Sequence, residues 1–156
     1  MKNSTLARQQ QKIEDLINKT DNATNRDLSL QSEWAKYLCI VCAGFLENAL
    51  QELYSEFADV AASEPVARFV KRELSFIQNP KSDRFIEIAK SFKEEWAKDL
   101  NDFMDKNGGN SAINSIMSNR HNIAHGKDST ITLSLLKDYF QRALKVIEHI
   151  EKQLNS

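Results

Sequence analysis

The sequence predicts an all-helical domain, and three observations carry that prediction. Only four glycines and two prolines interrupt 156 residues, no segment alternates apolar and polar residues as a half-buried strand does, and apolar residues recur at spacings of three and four along most of the chain. The length fits one domain around one core, so a single unit over residues 1–156 is expected, with its motif-bearing part at about 30–156. No apolar run approaches the roughly 20 residues of a bilayer span. Met1 to Gln9 lacks the apolar stretch of a signal peptide, which makes the cytosol the expected location.

A polar first helix is predicted from Ser4 to Thr20, with Leu6, Ile13, Leu16 and Ile17 on a thin apolar side, and Asp21 to Asn25 reads as a loop. The second helix should run from about Ser32 to Ala62. It carries two stripes, Trp34, Leu38, Val41, Phe45 and Ala49 on one and Ile40, Ala43, Leu50 and Tyr54 on the other, as a central helix covered on most sides would. Ser63-Glu64-Pro65 reads as a cap with proline in the first turn of a third helix, which stops before Asn79-Pro80. A fourth helix should cover Ser82 to Lys106. Asn107-Gly108-Gly109-Asn110 then breaks the chain; lacking a lysine in the Walker position, it reads as a helix stop and restart, not a phosphate cradle. A short helix from about Ser111 should end near Gly126. In the last helix Leu136, Phe140, Ala143, Ile147, Ile150 and Leu154 form a seam suited to core packing, too short for a sustained coiled coil.

Charge and cysteine content exclude several functions. A net charge of −1 gives no whole-molecule field to hold a polyanion, so any RNA contact must be local. Arg68, Lys71, Arg72, Lys81, Arg84, Lys90 and Lys93 outweigh the acids of the same region, and an ordinary solvated helix surface explains the run as well as a binding patch does. Cys39 and Cys42 form a C-x-x-C inside an uncharged helical run. Without further ligands or a strand-to-helix junction, they read as buried reduced thiols.

Chemistry concentrates in Arg120-His121-Asn122-Ile123-Ala124-His125-Gly126, which holds two of the three histidines. Arginine offers a permanent charge with forked donors that fit a phosphate, and histidine exchanges protons near neutrality. Arg120 shares a stripe with Ile113, Met117 and Ala124, so a partly buried guanidinium needing an acceptor is expected. Glu47, on the stripe Ile40, Ala43, Glu47, Leu50, Tyr54, is the matching carboxylate; the pair would either support the site or only orient two core helices. Positions five apart lie about 140° around an unbroken helix, so Arg120 and His125 converge only if the helix ends between them or a second subunit completes the site. His121 and His125, four apart, are a possible metal pair, but a zinc peptidase needs glutamate where Asn122 stands, and no third ligand follows closely. No cofactor or metal is called for. A nucleophile elbow is likewise missing.

The segment Ser118-Asn119-Arg120-His121-Asn122-Ile123-Ala124-His125-Gly126 resembles the R-x4-6-H motif of the HEPN superfamily. The stretch Ala43-Gly44-Phe45-Leu46-Glu47 and a long last helix from Thr132-Leu133 are similar to the RiboL-PSP-type branch of small prokaryotic HEPN domains, over roughly Trp34 to Leu154. The resemblance implies a helical bundle with long central and C-terminal helices that forms a homodimer, with the two motifs facing one another across a composite cleft. It further implies metal-independent RNA cleavage through the ribose 2′-hydroxyl, with Arg120 on the scissile phosphate and His125 as acid, base or positioning group. The polar role beside them falls to His121 or Asn122. In HEPN toxins silenced by nucleotidyltransferase partners a tyrosine lies two residues past the histidine; Lys127 stands there, which argues against that control. A toxin-antitoxin or defence role with a protein partner is implied, as is the alternative of a non-catalytic module that binds RNA or protein.

Overall fold

The computed structural model describes residues 1–156 as seven helices and no strand. These are α1 (Ser4–Thr24), α2 (Leu28–Ala61), α3 (Glu64–Leu74), α4 (Ser82–Phe92), α5 (Glu94–Asn107), α6 (Gly109–Ala124) and α7 (Leu133–Asn155). α2 runs through the middle and touches α1, α3, α6 and α7, while α7 packs on α1, α2, α5 and α6. The seam read from the sequence is the spine of this packing: Leu136, Phe140, Ala143, Ile147 and Ile150 are buried, and Leu154 is packed at its edge. Cys39 and Cys42 are free and buried in α2. Burial pushes the Cys39 thiol up to about 12 and Cys42 well above its usual value, as expected of inert core thiols.

Local chemistry starts the helices. Asn3 accepts from the Leu6 amide (2.9 Å), Asp27 from Leu30 (3.1 Å) and Thr132 from Leu135 (3.1 Å), each satisfying a donor the first turn leaves open. Asp27 starts α2 four residues earlier than Ser32. Ser63 precedes α3 but makes no side-chain cap bond; Pro65 alone marks that start. The amino end is also held by the buried Glu151 of α7, whose carboxylate oxygens accept from the Lys2 amide (2.7 Å) and the Asn3 amide (2.8 Å).

Three expectations are corrected. Asp21 to Thr24 continues α1 instead of forming a loop, because buried Thr20 and Thr24 prolong the Ile13–Ile17 stripe and the Thr24 hydroxyl donates back to the Thr20 carbonyl (2.6 Å). The helix expected from Ser82 to Lys106 is two helices, with Lys93 extended between them (φ −156°, ψ 126°). Neither glycine nor proline marks this break; it serves aromatic packing, for Phe92 stacks on Tyr54 (5.0 Å) while Phe92 and Trp96 both meet Phe57 edge-on (6.0 and 5.4 Å). Finally, the two apolar stripes of α2 are not covered along their whole length. Trp34, Tyr37 and Ile40 are 44%, 53% and 39% exposed, since no helix lies over that side of its first half.

Phe140 is fully buried and meets Phe45 edge-to-face at 5.7 Å. Phe140→Ala should lower unfolding free energy by about 3–5 kcal/mol, the cost of a core aromatic and its cavity. A urea titration giving less than about 1 kcal/mol would contradict this account of the core.

Candidate active site

α6 is fixed before it reaches the motif. Gly108 ends α5 in the left-handed region (φ 73°), and the Asn107 side chain accepts from the Gly109 amide (2.7 Å) while donating to the Arg142 carbonyl of α7 (3.2 Å). A β-carbon on Gly109 would overlap the Val146 side chain, so the start of α6 lies directly against α7. Ala112, Ile113, Ile116 and Met117 face the core, and the Cys39 thiol donates to the Ile116 carbonyl (3.5 Å). The Asn114 side chain accepts from the Ser82 amide (2.8 Å), which brings the segment before α4 beside the motif.

The end of α6 is equally determined. The Lys127 amide donates to the Asn122 carbonyl (2.8 Å) and the Gly126 amide to Ile123 (3.2 Å), with Gly126 at φ 66°. These two bonds form a Schellman closure, whose left-handed position favours glycine. The final Ala-His-Gly of the motif is therefore a helix stop. His125 is the capping residue itself (φ −99°, ψ 13°). Beyond it, the Ser129 hydroxyl donates to Asn119 (2.7 Å) and steadies the turn toward α7.

Arg120, His121 and Asn122 line one cavity of about 310 Å³ together with Asn79, Lys81, Met117 and Ser118. A second hollow of about 290 Å³, lined by Asn114, Ser115, Ser118, Asn119, Asn122 and Thr130, shares Ser118 and Asn122 with it. The two form a polar groove along α6. His125 is exposed and lies outside the cavity, its ring 4.4 Å from that of His121. One subunit thus gathers Arg120, His121 and Asn122, while His125 stands at the rim on the imidazole of His121.

The expected Arg120–Glu47 pair is not formed. Arg120 is half-buried and its side chain makes no ion pair or hydrogen bond within the chain, whereas Glu47 accepts from the Asn79 amide (2.8 Å). Helical stripes gave the direction of both side chains, but the chain between α3 and α4 lies against Glu47. Asn79 is the only non-glycine residue with positive φ (45°), a conformation asparagine tolerates, and Pro80 follows it. Glu47 therefore supports the cavity wall through Asn79.

Asn79, Lys81 and Ser118 are wall residues the sequence reading did not assign to the site. Lys81 was visible only as one member of a basic run. Most of that run is ordinary surface: Lys71 pairs with Asp59 (2.8 Å), Arg84 with Glu87 (3.1 Å), Lys90 with Glu94 (3.9 Å) and Lys93 with Glu95 (3.6 Å). Lys81 makes no such pair and joins Arg120 instead. No group of three or more His, Cys, Asp or Glu side chains is arranged to hold a metal ion, and His121 with His125 lacks a third donor.

The charge of neighbouring groups, His125 above all, bears on the protonation of His121. Its pKa is pulled below the usual 6.5 by the charge of His125 first, then by partial loss of water and by the charges of Lys127, Arg120 and Lys81. The ring is neutral at neutral pH, free to accept or donate a hydrogen bond without adding charge.

The RiboL-PSP-HEPN family profile matches residues 4–156. The chain belongs to the RiboL-PSP-HEPN family. The match takes in α1 as well as the Trp34–Leu154 region that carries the sequence resemblance. No curated protein and no solved structure gives a match. An all-helical bundle is the form this HEPN chain takes, and the family supports a nuclease or RNA-related role. No helix of the HEPN domain is long and apolar enough to cross a membrane.

Titration of the histidine ring resonances checks the electrostatics of this HEPN site. His125→Ala removes the largest positive neighbour, so the His121 midpoint should move up toward 6.5; Lys81→Ala should move it the same way by less. Because the folded pKa lies below the unfolded one, His121 costs the fold nothing above its ordinary value and becomes unfavourable as pH falls through it. A His121 midpoint that stays put in His125→Ala would contradict the arrangement.

Proposed function

We propose that this HEPN domain is a metal-independent endoribonuclease whose nucleophile is the substrate's own 2′-hydroxyl. The observation that carries the reading is Arg120: a half-buried guanidinium without a protein acceptor, in a polar cavity with Lys81 and a neutral imidazole. A phosphate supplies the missing acceptor, and its two free oxygens match the arginine's forked donors. In the reaction the 2′-oxygen attacks phosphorus and loses its proton to a base, the bond to the 5′-oxygen breaks, and that oxygen takes a proton from an acid. The products are a 2′,3′-cyclic phosphate and a 5′-hydroxyl. His125 is assigned the proton transfer, Arg120 the charge that builds on the phosphate oxygens, and His121 and Asn122 the positioning of the ribose.

His125 stands outside the cavity of its own subunit, which supports a homodimer in which one protomer's His125 serves its partner's Arg120. A toxin or effector role in prokaryotic defence or a toxin-antitoxin pair, with a protein partner that restrains it, follows from the family resemblance. The exposed position of His125 also favours a second reading, a non-catalytic HEPN module that binds RNA or a protein through the Arg120 cavity.

Purified protein with mixed RNA in chelator separates the two. Cleavage should persist without divalent metal and stop when a 2′-deoxy nucleotide occupies the cut site. His125→Ala should lower the rate by about 10²–10⁴-fold, and Arg120→Ala should also raise KM. Mixing inactive Arg120→Ala with inactive His125→Ala should restore part of the activity if the site is composite. RNA binding without cleavage would select the non-catalytic module, and cleavage of the 2′-deoxy substrate or strict dependence on magnesium or zinc would refute the mechanism.

A further inference from the structure

We infer that α3 and the turn after it extend the Arg120 cavity into a track for single-stranded RNA, on which unpaired bases stack against Phe69 and Phe76. The inference rests on the RNA reading above and names the form of RNA the site takes. α3 buries Ala67 and Leu74 but leaves Phe69 and Phe76 59% and 63% exposed, with Val66 extending the apolar strip by one turn. Phe76 lies just past the helix, yet its amide still bonds to the Glu73 carbonyl (3.3 Å), so the chain continues in a helical sense. Seven residues are nearly two turns, which puts the two rings on one side about 10 Å apart along the axis.

Arg72 lies between the rings, and Arg68 flanks them. Neither makes an ion pair, whereas Lys71 is held by Asp59 (2.8 Å). Glu73 is the carboxylate on this strip, leaving it net positive. From Phe76 the chain runs to Asn79 and Lys81, both in the wall of the Arg120 cavity. Three residues span at most about 10 Å, so a strand with a phosphate at Arg120 has its neighbouring nucleotides within reach of Phe76 and then Phe69.

Charge decides which partner fits. An apolar protein surface laid on the two rings would strip water from Arg68 and Arg72 without offering them acceptors, while a nucleic-acid backbone brings phosphates to the guanidinium groups and π-faces to the rings. A duplex hides its base faces in the stack, so the occupant is single-stranded.

The test uses the full chain carrying His125→Ala, so that RNA stays intact, and a labelled oligonucleotide followed by fluorescence anisotropy. Adding Phe69→Ala and Phe76→Ala should weaken single-strand binding by about tenfold or more per ring, with little effect on thermal unfolding because both rings are exposed. A duplex of the same sequence should bind more weakly and not respond. Arg68→Gln with Arg72→Gln should flatten the dependence of log affinity on log salt by about 0.7 per charge removed. Unchanged affinity in the phenylalanine variants, or equal binding of duplex and single strand, overturns the track. A change in sedimentation mass with RNA affinity intact overturns it in favour of a protein-facing surface. Failure of the unmutated chain to cut RNA while these binding effects hold would retire the ribonuclease reading and leave the track standing. Cleavage that persists without them would retire the track alone.

Discussion

The backbone closure at Gly126 is the constraint on which the candidate site depends, because it decides where the rigid part of α6 stops. Up to Ala124 the side chains follow the helical screw, which sends Arg120, His121 and Asn122 into the groove beside the start of α4 and leaves His125 outside it. The bonds from Gly126 and Lys127 back to Ile123 and Asn122 satisfy the last carbonyls and hold His125 at the boundary, against His121. Glycine-backed contacts with α7 fix the other end of the same helix. Motif residues are thus positioned by backbone geometry at both ends, leaving their side chains free of structural duties.

That freedom has an electrostatic counterpart. A chain with net charge −1 pairs much of its surface charge locally, yet Arg120 and Lys81 meet in one cavity without a carboxylate on either. Concentrating like charge opposes folding, and the His121 pKa registers it: the ring is held below its usual value by His125 first, with Arg120 and Lys81 adding the smallest contributions. Local departures of this kind, in a structure that otherwise fills its core, are where sequence and stability rules are expected to yield to a functional site.

Helix identity was legible because periodicity is a property of each segment alone, and the all-helical class, the seam of α7 and the glycine break before α6 follow from it. The errors arose where tertiary contacts decided. Asp21 to Thr24 look like a loop until the burial of Thr24 and its hydroxyl bond back to the Thr20 carbonyl make them part of α1. The break at Lys93 answers to aromatic rings on α2, which no local pattern announces. Arg120 and Glu47 are both only partly buried, periodicity fixes direction and not distance, and a backbone amide from the α3–α4 segment took the carboxylate. Trp34 and Ile40 show the converse: two apolar stripes on α2 pointed to cover on most sides, but apolar spacing does not fix how far along the helix its neighbours reach.

The clasp between Glu151 and the amides of Lys2 and Asn3 brings the first and last helices together at one end of the bundle. Topologically the domain is close to a ring with a small gap. A short linker across that gap would cost little loop-closure entropy, and the chain could be reopened at an exposed connection such as that near Asp128, relocating its termini while every helix keeps its neighbours. The order in which the helices are written along the chain is, in that sense, less essential to this fold than which helices touch.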